Sequence, residues 1–157
     1  RRQGDPADRG DPAGAPAIFV LAKYLATSAT TLANVPAAPG PVYWTDNTFT
    51  TVSGLLADSF GGVNSVAGYM RINTTSLPNL TIAQLLGGYT LIQVAGYLAG
   101  VTSPAAIVAG DNIVGLAGAF QSARVASGTA PTSRPLGVAM SAVAAGLCNI
   151  MVTTDIF

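Results

Sequence analysis

Apolar and polar positions alternate in short runs along this chain, and turn residues separate the runs. Val42-Tyr43-Trp44-Thr45 and Thr48-Phe49-Thr50-Thr51-Val52 flank the pair Asp46-Asn47 and predict two strands around a turn. Ser65 to Ile72 predicts another strand, and Tyr89-Thr90-Leu91-Ile92-Gln93-Val94-Ala95-Gly96-Tyr97 one buried on one or both faces. Between them, Leu77 to Leu86 predicts a short helix, with Thr81 to cap it and Gly87 to end it. Ile18 to Leu25 suits either a strand or a short helix, and Asn34 to Pro41 reads as a loop.

The last third is the most regular. Ala106-Ile107-Val108 leads through a turn at Ala109-Gly110-Asp111-Asn112 to Ile113-Val114-Gly115-Leu116, and Gln121 to Ala126 is a short strand before a loop from Gly128 to Pro135. Leu136 to Met140 and Leu147 to Val152 are strands joined by Ser141 to Gly146, where Ala142 to Ala145 has room for one helical turn. Strands at roughly 8–12-residue spacing with Gly, Pro and Asn turns indicate a barrel or a sandwich. The predicted fold class is mainly β: a small β-barrel or β-sandwich body over residues 18–157, with short helical turns and an extended N-terminal arm over residues 1–17.

That arm holds Gly-Asp-Pro at Gly4 and again at Gly10, and no large apolar residue before Ile18. Such a segment prefers extended, polyproline-like geometry and forms no core of its own. A collagen register fails because Ala7 and Ala13 stand where glycine is required, and Arg9-Gly10-Asp11 is a tripeptide too short to assign integrin binding. The two readings are a tail and an arm that orders along a neighbouring subunit. Paired arginines and a regular repeat favour the second, with Arg1, Arg2, Arg9 and Asp11 as the candidate contact residues.

Charge sharpens the picture. Of 157 residues 50% are hydrophobic and 9% charged, with seven basic and seven acidic residues, no His and no Glu. Seven of the fourteen charges lie within the first 23 residues, leaving seven for the other 134. A monomer ordinarily covers itself with charge to stay soluble, so this composition predicts burial against other subunits in a homo-oligomer. Tyr43 and Trp44 are candidates for that interface, with a core position equally consistent. The zero net charge argues against nucleic acid as a partner.

Residues 72–110 and 135–154 carry no charge, and Leu80 to Val101 is long enough to span a bilayer as a helix. Gly87-Gly88, Gly96, Gly100 and Pro104 interrupt that stretch, and no Lys/Arg cluster flanks either one, so buried strands are expected and no membrane partner. The basic start runs into Gly-Asp-Pro rather than an apolar core, so a signal peptide is not expected either.

No catalytic constellation emerges. Without His there is no Ser-His-Asp or Cys-His nucleophile and no imidazole metal site. The Asp residues are dispersed and read as solvated loop carboxylates, while Gly110-Asp111-Asn112 lacks the further ligands of a calcium loop. The glycines form neither a phosphate loop nor a dinucleotide fingerprint. Asn73-Thr74-Thr75 and Asn79-Leu80-Thr81 are glycosylation sequons that matter only in a eukaryotic secretory pathway. Cys148, the one cysteine, sits mid-strand, where a buried inert thiol is expected. The expectation is a protein without enzymatic activity, metal or cofactor.

The strand sequences also carry a family resemblance. Leu91-Ile92-Gln93-Val94-Ala95-Gly96-Tyr97, Ala106 to Asp111, Arg134-Pro135-Leu136-Gly137-Val138-Ala139-Met140 and the final Ile150-Met151-Val152 resemble tailed-bacteriophage capsid decoration proteins, also called cement or head-fibre proteins. Val42 to Asp46 and Val63 to Gly68 are similar to an upstream part of the same pattern, so the resemblance covers residues 42–157, and the arm has no counterpart in it. It implies a small, β-rich, non-enzymatic and commonly trimeric protein on the outer surface of the virion's capsid. There it would staple neighbouring copies of the major capsid protein. The alternative reading is the trimeric head or knob of a fibre, with the arm entering a stalk and the body binding a receptor.

Overall fold

The computed structural model describes residues 17–103 and 106–154. Its strands are β1 (Ile18–Tyr24), β2 (Gly40–Trp44), β3 (Thr51–Ser53), β4 (Val66–Met70), β5 (Tyr89–Thr102), β6 (Asn112–Gly115), β7 (Ser122–Val125), β8 (Pro135–Ala139) and β9 (Leu147–Val152). A single helical turn, α1 (Ile82–Leu85), and three 3-10 turns complete the regular structure among the described residues. The chain is mainly β, as its alternation predicts. All nine strands belong to one sheet in the order β1-β3-β2-β4-β5-β9-β8-β6-β7, and β1 also pairs with β5. Five strands therefore close into a ring, and four continue from it as an open extension.

β5 makes this possible. It is 14 residues long, enough to serve both parts. Its first half pairs antiparallel with β1, with Leu21 opposite Leu91 and Lys23 opposite Tyr89, and with β4 through Tyr69–Gln93 and Met70–Ile92. Its second half pairs with β9, from Gly96–Val152 to Thr102–Leu147. Gly96 and Gly100, at φ 101° and 67°, supply backbone that other residues rarely adopt where the strand passes from one partner set to the next. The sequence predicts the strand only as far as Tyr97, short of Gly100, whereas the strand runs through that glycine to Thr102.

Two cores follow from this arrangement. Inside the ring lie Tyr24, Val42, Trp44, Val52, Met70 and Ile92 with their neighbours. Between the ring and the extension lie Tyr43, Tyr69, Leu98, Ile113, Leu136 and Ile150 with theirs. β2 and β4 separate the two, so alternate residues feed opposite cores and every position in both strands is buried. That explains why their sequences are apolar throughout rather than alternating.

Local chemistry sets the ends of the elements. Thr81 Oγ1 accepts from the Gln84 amide, and the Gln84 side chain accepts from the Thr81 amide, a reciprocal cap that starts α1 and seats Leu85 in the ring core. The strand predicted over Thr48–Val52 begins only at Thr51. Asp46 Oδ1 accepts from the amide and hydroxyl of Thr48, and Phe49 takes a left-handed φ of 56°, which turns this segment into a loop. Ala142 to Ala145 forms no helix. Ala144 and Leu147 exchange two backbone hydrogen bonds around Ala145-Gly146, both with positive φ, which is a tight hairpin turn. No helix among the described residues is long and apolar enough to cross a membrane. The uncharged stretches at 72–110 and 135–154 instead contain α1, β5, β8 and β9.

Candidate interaction surface

The outer wall of the ring, where β1 runs beside β5, carries an uncovered apolar face. Alternation sends Ala22 and Tyr24 inward and leaves Phe19, Leu21 and Lys23 outside; Tyr89 and Leu91 emerge likewise from β5. Leu21 is 66% exposed and Tyr89 65%, with Ile18, Phe19 and Leu91 also open to solvent. Covering a large apolar side chain gains roughly 1.5–3 kcal/mol when it starts fully exposed, so half of that for each of five side chains is a substantial unrealised gain. Two cations bound the face. Lys23 Nζ lies 5.7 Å from the Tyr89 ring centroid, and the Arg71 guanidinium 5.6 Å from that of Phe19. Arg71 Nη1 also donates to Gln93 Oε1 at 3.1 Å, so its position is fixed by β5.

A second apolar group sits at one end of the ring. Phe49, in the loop joining β2 to β3, meets Trp44 edge-on at 5.6 Å, and Phe60 meets Phe49 edge-on at 6.2 Å. Trp44 belongs to the ring core, whereas Phe49 and Phe60 remain about half exposed. Asp46 stands in the same loop. Its carboxyl is held below the usual carboxylate range by the Thr48 hydroxyl and amide, which donate to it. This end is therefore aromatic with an acidic edge, and the wall is apolar with basic edges.

Arg1, Arg2, Arg9 and Asp11, the candidate contact residues of the arm, lie outside the described residues. Tyr43 and Trp44 are both described, and of the two positions the sequence leaves open for them the structure assigns the core. Tyr43 is 0% exposed and Trp44 2%, so neither offers side-chain surface to another subunit. Tyr43 Oη donates to the Gln121 carbonyl at 3.1 Å, and burial pushes its phenol up to about 12.

Most of the remaining polar groups are tied into the fold. Asp111 corrects an expectation: it is a buried carboxylate, not a solvated one. Its oxygens accept from the amides of Val108 and Ser127, and Arg124 Nε closes an ion pair at 2.8 Å. The Val108 amide foremost, then Arg124 and Ser127, hold its carboxyl below the usual range against the opposing effect of burial. Asp58 Oδ2 accepts from Ser53 at 2.6 Å and from Ser28 at 3.0 Å, within a hydroxyl network that includes Thr30 and Tyr24. Cys148 is buried, its Sγ 3.0 Å from Ser103 Oγ, and burial raises its thiol above the ordinary value. Asn73 keys a turn with both ends of its amide: Oδ1 accepts from Thr75 and Ser76, and Nδ2 donates to the Arg71 carbonyl. Among the described residues no three His, Cys, Asp or Glu side chains gather as a metal site. An open groove of about 380 Å³ beside α1 is lined by Ile72, Leu77, Pro78, Leu80 and the amides of Asn79 and Gln84. None of these lining side chains is ionisable.

Neither exposed apolar group stands out in the sequence. β1 and the first half of β5 are apolar on both sides, so periodicity alone leaves the solvent face unmarked. The available signal is Lys23 within β1: a lysine amid apolar residues places its own side of the strand outside. Compared with known proteins, the chain matches no family model, no curated protein and no solved structure.

Proposed function

We propose that this chain is a structural virion protein of the capsid decoration, or cement, class, binding the outer surface of a bacteriophage head and stabilising its coat lattice. The observation that carries the reading is the apolar wall formed by β1 and β5. It lies directly where the chain leaves the Gly-Asp-Pro segment, on a body whose buried carboxylate and hydroxyl network is committed to holding the fold. Such a body is suited to being held against other protein surfaces rather than to turning over a substrate. Its partners in this reading are the major capsid protein and further copies of itself, as a homotrimer.

Division of labour follows from composition. Residues 1–16 contain three of the seven basic residues and no large apolar side chain to anchor them to their own body. As a staple, each arm loses conformational entropy once on docking, and several arms per oligomer add avidity without any single strong contact. Deleting residues 1–16 leaves folding, oligomer mass and melting temperature unchanged and weakens binding to expanded heads at least tenfold in a co-sedimentation assay. Arg2→Ala and Arg9→Ala each give a milder loss, which shrinks as added salt screens the same charges in the wild type. Equal sedimentation of full-length and shortened chains rejects the staple and moves attachment to the β body.

A further inference from the structure

We infer that the basic-edged wall of β1 and β5 receives the acidic-edged aromatic end, Phe49 and Phe60, of a second copy of this chain, and that repetition of this contact closes the homotrimer. The existence of an oligomer and its count of three copies rest on the decoration reading; the two surfaces come from the geometry of the chain itself.

Exposed apolar area comes first. Taking about 200 Å² for a large side chain, the fractional exposures of Ile18, Phe19, Leu21, Tyr89 and Leu91 amount to on the order of 500 Å². The largest apolar patch of a typical monomer is ~300–600 Å² and is often functional. A stable interface needs ~800 Å² from each partner, so the wall supplies more than half of one side, with its polar margins supplying the rest. On the same scale Phe49 and Phe60, each about half exposed, supply about 190 Å² at the end of the ring, and the polar residues of that loop supply the rest of its side.

Charge then selects the pairing. Among the described residues Arg124 is engaged with Asp111, and Asp58 accepts from Ser28 and Ser53. Of the three cations that remain, Lys23 and Arg71 flank the wall and Arg134 stands in the loop before β8, where its amide donates to Asn64 Oδ1; Asp46 stands beside the end. A wall-to-wall contact brings cations of like sign together at its margins, and an end-to-end contact brings Asp46 against Asp46. Wall-to-end places opposite charges around a desolvated centre. Such complementarity selects partners more than it adds affinity. Because wall and end are different surfaces, the contact is heterologous, and it generates a ring where the rotation closes.

Sedimentation velocity on the intact chain at micromolar concentration tests this without any capsid present. The wild type is expected at three times its chain mass of 15.7 kDa. Leu21→Asp, at the centre of the wall, and Phe60→Lys, at the end, are each expected as folded monomers with a cooperative melt, below the wild type only by what association adds. Tyr89→Ser replaces Leu21→Asp if the latter fails to fold. Mixing the wall variant with the end variant is expected to give a species of two chains, because each retains the surface the other lacks. A monomeric or dimeric wild type overturns the inference, as does a Phe60→Lys chain of wild-type mass or a mixture that stays monomeric. Loss of the ring with head binding intact removes this interface alone; loss of head binding with the ring intact removes the decoration role alone.

Discussion

Tyr43 and Tyr69 stand in the same core with opposite hydrogen-bonding fortunes. Tyr43 Oη reaches the Gln121 carbonyl, whereas Tyr69 Oη, buried completely, has no hydrogen-bond partner among the described residues, and burial raises its phenol far above the ordinary value. A made hydrogen bond contributes about 0.5–1.5 kcal/mol, and a buried polar group without one carries a desolvation cost instead. Tyr43→Phe therefore lowers the unfolding free energy by about 1 kcal/mol, while Tyr69→Phe leaves it unchanged or raises it. Urea denaturation of the two variants beside the wild type measures both, and equal losses contradict the assignment. Neither side chain is exposed to a partner, so neither substitution alters oligomer mass.

Asp111 shows how one residue organises an element. Its carboxylate joins the turn at Val108, the start of the β6–β7 pair through Arg124, and the loop at Ser127. The folded-state carboxyl lies below its unfolded value of 3.8. Its contribution to stability is thus fully present above that value and is lost as pH falls through and below it. Asp111→Asn melts below the wild type at pH 6, and the gap between them narrows as pH drops below the ordinary carboxylate range. A gap that stays constant with pH contradicts this role. At the scale of elements the sequence is informative where a single physical signal governs. The Thr81 cap, the β9 limits and the turn at Asp111 are all legible in composition and spacing. It is silent where two partner sets share one segment, as in β5, which continues past Gly100 to pair with β9. It also misplaces Asp111, since burial of a carboxylate depends on an arginine 13 positions away reaching back across a hairpin.

The whole molecule combines a closed ring, an open extension and a long strand common to both. A mainly β body was legible from alternation. The choice between barrel and sandwich was not, because closure depends on β1 meeting β5 far along the chain, Leu21 opposite Leu91. The same holds for the candidate surface. Scarcity of charge predicts a covered exterior without locating it, and only the fold brings Leu21 beside Leu91 and sets Lys23 and Arg71 at the margins. In the proposed assembly that wall joins the copies, the arm engages the coat, and the two-core body transmits load between them. Gly68 shows how tightly the body is built: at φ 145° a Cβ there would lie 2.3 Å from the Gln93 carbonyl oxygen, so β4 and β5 approach as only a glycine permits. The most direct test is the number of copies of this chain on purified virus particles that carry its gene, measured by quantitative mass spectrometry against the major capsid protein. A decoration protein gives a fixed ratio to the coat subunit that saturates on expanded heads and falls when residues 1–16 are removed. Absence from the particles, or a ratio of only a few copies per particle as a fibre tip gives, contradicts the decoration role.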